Sequence, residues 1–119
     1  MLNRILLYVH DVDAVAGFYE RHFGYRRFST EGDRIVELRP EAGGALLMLH
    51  QASKGQKKGQ SLVKLVFDVE DVRAFAASAA QSGLSFGPIH DAGSYLFANV
   101  RDPAGNPVSI SSRAFAAGE

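Results

Sequence analysis

Apolar and polar positions along the chain form one pattern that occurs twice. Residues 5–9, Ile-Leu-Leu-Tyr-Val, are apolar and β-prone, the mark of a buried strand. Asp11 or Asp13 then caps a helix in which Val12, Val15, Phe18 and Tyr19 recur near helical spacing, and Gly24 ends it as a left-handed cap. Residues 25–29, 34–39 and 45–50 read as three further strands. They are separated by the Glu31-Gly32-Asp33 turn and by a second turn over residues 40–44. Residues 52–61 hold Lys54, Gly55, Lys57, Lys58 and Gly59, carry no apolar period, and read as a flexible linker.

The same order then returns. A strand over residues 62–69 precedes a helix that starts at Asp71, turns Val72, Phe75, Ala76 and Ala79 inward, and stops at Gly83. Strands follow at 85–89, 95–101 and 108–112, the last two joined by Asp102-Pro103-Ala104-Gly105, a strong β-turn signal. A shift of 60 residues lays Ile5, Leu7 and Val9 on Leu65, Phe67 and Val69, and Asp11-Val12 on Asp71-Val72. An internal repeat decides the fold class. The expectation is an α+β domain over residues 1–119, built from two β-α-β-β-β modules (1–51 and 62–119) and the 52–61 linker. One helix protects one face of each mixed sheet, so the other faces are expected to enclose a cleft, with the helices outside.

Composition narrows the function classes. Thirteen Lys and Arg balance thirteen Asp and Glu, so no global field draws the chain toward nucleic acid or a membrane surface. The three linker lysines lack interleaved aromatics, and the glycine-rich segments have no phosphate-loop pattern. There is no cysteine, which removes disulfides and thiolate chemistry. No apolar run is long enough to span a bilayer, and Met1-Leu2-Asn3-Arg4 lacks a signal-peptide layout. The cytoplasm is the expected location.

Three segments in each half carry a family resemblance. The first half has Leu7-Tyr8-Val9-His10-Asp11, then Phe18-Tyr19, then Phe23-Gly24-Tyr25. The second half has Phe67-Asp68-Val69-Glu70-Asp71-Val72, Gly83, and Asp102-Pro103-Ala104-Gly105-Asn106. Together they resemble the vicinal oxygen chelate superfamily of glyoxalase I, bleomycin-resistance proteins and extradiol dioxygenases. The resemblance implies a homodimer that binds a small molecule, and in its enzymes a divalent metal on four His, Glu or Gln side chains. Carried over one position at a time, those four places fall on Arg4, Lys64, Ser109 and Met48, with His50 two residues beyond Met48. Guanidinium and ammonium groups repel a cation and thioether sulfur suits hard metals poorly, so neither metal nor other cofactor is expected here.

The replaced positions suggest a binding site instead. Equivalent places in two modules would bring Arg4 and Lys64 together, and cations about 7 Å apart repel by about 2 kcal/mol at an effective dielectric of about 20. Glu37 is one candidate counter-charge, since alternation puts Ile35, Glu37 and Arg39 on one face, with Glu37 opposite Met48. An anionic ligand is the other. Tyr8 would add a ring and hydroxyl, His50 a proton donor or acceptor, Ser109 and Ser111 hydroxyls, and Phe97 and Asn99 a lining for the second sheet. Three functions stay open: a metal-free binding protein for an anionic or aromatic ligand; an enzyme, either acid–base through His50 and Glu37 or a lyase or dioxygenase with an atypical metal; and a ligand-free dimer. Each side chain also has a plainer role. Arg4 and Lys64 can pair with Glu37 or Asp68, Met48 can fill core, and His22 can place a favourable charge at a helix C-terminus. His10 and His90 fall at solvated edges.

Overall fold

The structure, a computed structural model, describes residues 2–116. The chain divides into two units, Met1–Lys58 and Gly59–Glu119. The first holds β1 (Arg4–Val9), α1 (Val12–Phe23), β2 (Tyr25–Ser29), β3 (Ile35–Pro40) and β4 (Leu46–Gln51). The second holds β5 (Leu65–Asp68), α2 (Val72–Gln81), β6 (His90–Asp91), β7 (Leu96–Arg101) and β8 (Pro107–Ser111), followed by a 3-10 turn (Arg113–Phe115). Each unit forms one four-stranded mixed sheet, in the order β1-β4-β3-β2 or β5-β8-β7-β6. The first strand of each unit runs parallel to the last, and the other pairs are antiparallel. The expected α+β class and the twofold β-α-β-β-β order are therefore present.

The repeat extends to the atoms of the helix starts. Asp11 and Asp71 both sit in extended backbone, at φ −119° and ψ 91° or 95°. Each side chain accepts from the amide three residues on, Ala14 or Ala74, at 3.0 Å. This satisfies one of the orphan N–H groups of the first turn. At the other end of α1, Gly24 takes φ 69° and its N–H donates to the Tyr19 carbonyl. That left-handed conformation favours glycine.

Alternation along the strands sorts each sheet into two faces. In the first unit Val9, Leu38, Leu47 and Leu49 are buried with Val15, Ala16, Phe18 and Tyr19 of α1, and this is the core. Arg27 of β2 shares this face and clamps the helix to the sheet. Its guanidinium donates to Asp13 at 2.7 Å and to Glu20 at 2.9 and 3.3 Å. The Glu20 contact above all holds Arg27 more firmly protonated than an ordinary arginine. In the second unit Leu65, Ala98, Val108 and Ile110 are buried, as are Val72 and Ala79 of α2.

Three expectations from sequence shift in the structure. The strand expected over 62–69 is only β5, Leu65–Asp68. Leu65 already pairs with Val108, and β8 begins one residue earlier at Pro107, which has no N–H for a further rung. The strand expected over 85–89 is displaced to His90–Asp91. Pro88 interrupts the earlier segment, which keeps one sheet-like bond from Gly87 N–H to Asn99 O at 2.8 Å. The linker read at 52–61 is tied at its start. Ala52 is buried, its N–H donates to Val9 O at 2.8 Å, and Gln56 bonds Ser53 and the His10 ring.

Asp102 is the most fully used side chain of any turn described. It is 4% exposed, its Oδ1 accepts from the amides of Ala104 and Asn106, and its Oδ2 accepts from the Asn106 side chain, each at 2.9 Å. Removing the carboxylate strands buried donors, which costs more than losing an exposed cap. Asp102→Ala is expected to lower unfolding free energy by about 3 kcal/mol, against about 1 kcal/mol for Asp11→Ala. Urea denaturation of the two variants checks the ranking, and equal losses would contradict it.

Candidate functional site

The face turned away from each helix carries the side chains of chemical interest. In the first unit the register aligns Arg4 with Leu46, Leu6 with Met48 and Tyr8 with His50. It then aligns Met48 with Glu37, and Glu37 with Phe28. This far face therefore gathers Arg4, Tyr8, Glu37, Met48 and His50, and adds Arg26, Phe28 and Arg39. Met48 is half-buried on this face rather than core filler, because the core lies on the opposite side.

Glu37 organises the charges. Its two oxygens accept from Arg4 Nη1 at 2.7 Å and from Arg39 Nε at 2.6 Å. The Arg39 guanidinium lies 4.0 Å from the centre of the Phe28 ring, a cation–π geometry. The hydrogen bond from Arg39, with the help of Arg4, holds the Glu37 carboxyl below its ordinary value, although partial burial works the other way. Arg26, the cross-strand partner of Arg39, adds a further positive charge. Tyr8 and His50 meet with ring centres 5.5 Å apart, and His50 Nδ1 lies 2.9 Å from the Gln51 carbonyl oxygen.

In the second unit Lys64, Phe97, Asn99, Ser109 and Ser111 share the equivalent face by alternation and register. Lys64 Nζ donates to Asn99 Oδ1 at 3.0 Å, so it bonds a neutral amide rather than Asp68. Ser109 is buried and donates to the Ala98 carbonyl at 3.1 Å. Ser111 Oγ is also buried and accepts from the Arg113 amide at 3.1 Å. Phe97 stacks on His90 with ring centres 4.9 Å apart.

His22 lies in the last turn of α1, as expected, but burial first and Arg21 second make its cation harder to form. Its ring sits edge-on to Phe18 at 5.3 Å. His10 and His90 are exposed, yet His10 bonds the Gln56 backbone and His90 stacks on Phe97.

Arg39 and Phe28 were not singled out from sequence, although alternation already set Arg39 beside Glu37. Tyr95 and Arg113 gave no signal there. Arg113 lies beyond the last strand, where no period marks a face.

The donor chemistry does not fit a divalent cation. Of the four positions assigned to metal ligands by resemblance, Arg4 is engaged by Glu37, Lys64 by Asn99, and Ser109 by a backbone carbonyl. Arginine and lysine offer no lone pair in their charged forms. Among the described residues no three His, Cys, Asp or Glu side chains come together to hold a metal ion.

Solved structures of similar fold cover nearly the whole chain. A virulence protein from Salmonella typhimurium matches with TM-score 0.72 at 22% identity, over 93% of this chain and 94% of its own. TnmS3, an antibiotic binding protein from Streptomyces sp. CB03234, matches with TM-score 0.76 at 18% identity, over 92% and 93%. Lactoylglutathione lyase from Agrobacterium tumefaciens matches with TM-score 0.71 at 20% identity, over 93% and 92%. At these identities the likeness is one of fold. No curated protein sequence matches the chain. No helix among the described residues is long and apolar enough to cross a membrane. The model of the Glyoxalase/Bleomycin resistance protein/Dioxygenase superfamily matches residues 1–110, and the chain belongs to that family.

Proposed function

We propose that this protein is a metal-independent binder of a small anionic ligand with aromatic character, held on the far face of its first sheet. The observation that carries the reading is the charge count around Glu37. It is the one carboxylate among the strand residues of its face, and two guanidiniums already share it. Arg4, Arg39 and Arg26 against Glu37 leave a surplus of two positive charges, beside the rings of Phe28, Tyr8 and His50. Charge-assisted hydrogen bonds to a carboxylate or phosphate suit such groups. That TnmS3, of similar fold, is an antibiotic binding protein supports binding without catalysis.

The similarity to a lactoylglutathione lyase supports the enzymatic alternative, but the side chains argue against it. A general base near neutral pH needs a pKa near the working pH. Glu37 is displaced the wrong way, because Arg39 and Arg4 stabilise its ionised form. The reading also includes a homodimer. Leu62 is fully exposed and Val63 mostly so, just before the edge strand β5, where a second chain would cover them.

Calorimetry with small aromatic carboxylates and phosphates tests the binding site. The Arg4→Ala/Arg26→Ala double variant is expected to lose about tenfold to a hundredfold in affinity. Equal binding by the parent and the double variant would overturn the proposal, as would stoichiometric divalent metal in the purified protein.

A second test uses acid. A carboxyl whose folded pKa is depressed contributes stability above its unfolded pKa and loses it as pH falls through the folded value. The melting temperature of the parent protein is therefore expected to exceed that of Glu37→Gln near neutral pH. The gap is expected to close progressively below about pH 4.5, the ordinary value. A gap independent of pH would show that Glu37 acts by shape and not by charge.

A further inference from the structure

A groove in the second unit has ingredients of its own. It is an open depression of about 390 Å³, lined by Val66, Asp68, Ser111, Arg113 and Ala114. That volume lies within the range of small-molecule sites, at its lower end. It holds two opposite charges that do not neutralise each other. Neither the Asp68 carboxylate nor the Arg113 guanidinium makes an ion pair among the described residues. An exposed carboxylate and guanidinium gain little by pairing, and each is held in place by contacts of its own.

The structure supplies that hold on both sides. Asp68 is fixed by its place on β5, in register with Ser111 of the neighbouring strand. Arg113 is drawn the other way. Its guanidinium carbon lies 5.2 Å from the centre of the Tyr95 ring, and its Nη1 donates to the Tyr95 hydroxyl at 3.2 Å. Its backbone N–H is tied to Ser111 Oγ at 3.1 Å, at the start of the 3-10 turn. Ser111 accepts that bond and keeps its own O–H to donate. Val66, 56% exposed, leaves an apolar surface beside the charges.

We infer that this groove binds a small zwitterion of the amino-acid class, with its ammonium on Asp68, its carboxylate on Arg113 and Ser111, and an apolar side chain against Val66. A ligand carrying one charge satisfies one wall and leaves the other solvated. A zwitterion answers both. The groove lies wholly in the second unit, so the inference stands apart from the charge surplus around Glu37.

The test is a titration of the full chain with L-phenylalanine, followed by amide NMR. Phenethylamine, which lacks the carboxylate, and 3-phenylpropanoate, which lacks the ammonium, are titrated in parallel. The expected result is that L-phenylalanine shifts the amides of Val66, Asp68, Ser111 and Arg113 and binds about tenfold more tightly than either control. Asp68→Asn is expected to weaken L-phenylalanine and phenethylamine about tenfold while sparing 3-phenylpropanoate, and Arg113→Gln to do the converse. Both substitutions lie on exposed side chains, and an unchanged melting temperature confirms that each variant is folded. The inference is overturned if L-phenylalanine at about 10 mM leaves those amides unmoved, if either control binds as well, or if the two variants lose all three probes alike.

Discussion

One helix covers one face of a four-stranded sheet, and each unit of this protein has one helix. Every strand must therefore present alternate residues to two environments. The helix-facing set is apolar and closes the core: Val9, Leu38, Leu47 and Leu49 in the first unit, Val108, Ile110 and Ala98 in the second. The remaining positions are released from core packing. They hold arginines, a glutamate, serines and aromatic rings. Register then decides which of these meet. A one-residue slip of β3 against β4 would exchange Glu37 with Leu38, burying a carboxylate in the core and separating it from Arg4.

Arg27 shows how strict the division is. It is the charged strand residue on the helix side of the first sheet, and it is tolerated because Asp13 and Glu20 of α1 come to it with three hydrogen bonds. The charge left on the guanidinium is answered locally, and the contact joins helix to sheet. On the far face the balance differs. Glu37 answers one of three arginines, and the surplus remains on the surface. The same residue type is structural on one face and available on the other, and strand parity sets which.

Much of this was legible in the sequence because it rests on short-range rules. The 60-residue repeat, the aspartate caps and Gly24 each depend on a few consecutive residues, and all fall where the pattern put them. The pairing of Glu37 with Met48 follows from one turn and the two-residue period. What escaped depends on partners distant in sequence. β5 loses its first residues because Pro107, more than forty positions away, cannot donate to them. Arg39 stood on the correct face, but its stacking on Phe28 depends on the β2–β3 register, which the turn at 31–33 does not fix by itself. Arg113 follows the last strand, where hydrophobic period gives no direction at all.

The two units share a backbone plan and differ in what the plan displays. A shift of 60 carries Arg4 to Lys64, Leu6 to Val66 and Tyr8 to Asp68. The first pair keeps a cation at both places, yet the cations have different partners. Arg4 is bound to a carboxylate that it shares with Arg39. Lys64 is bound to a neutral amide. The third pair reverses chemistry altogether, since Tyr8 packs on His50 while Asp68 makes no ion pair among the described residues. Two sheets that began from one pattern therefore present unlike surfaces, the first cationic and aromatic, the second mixed in sign.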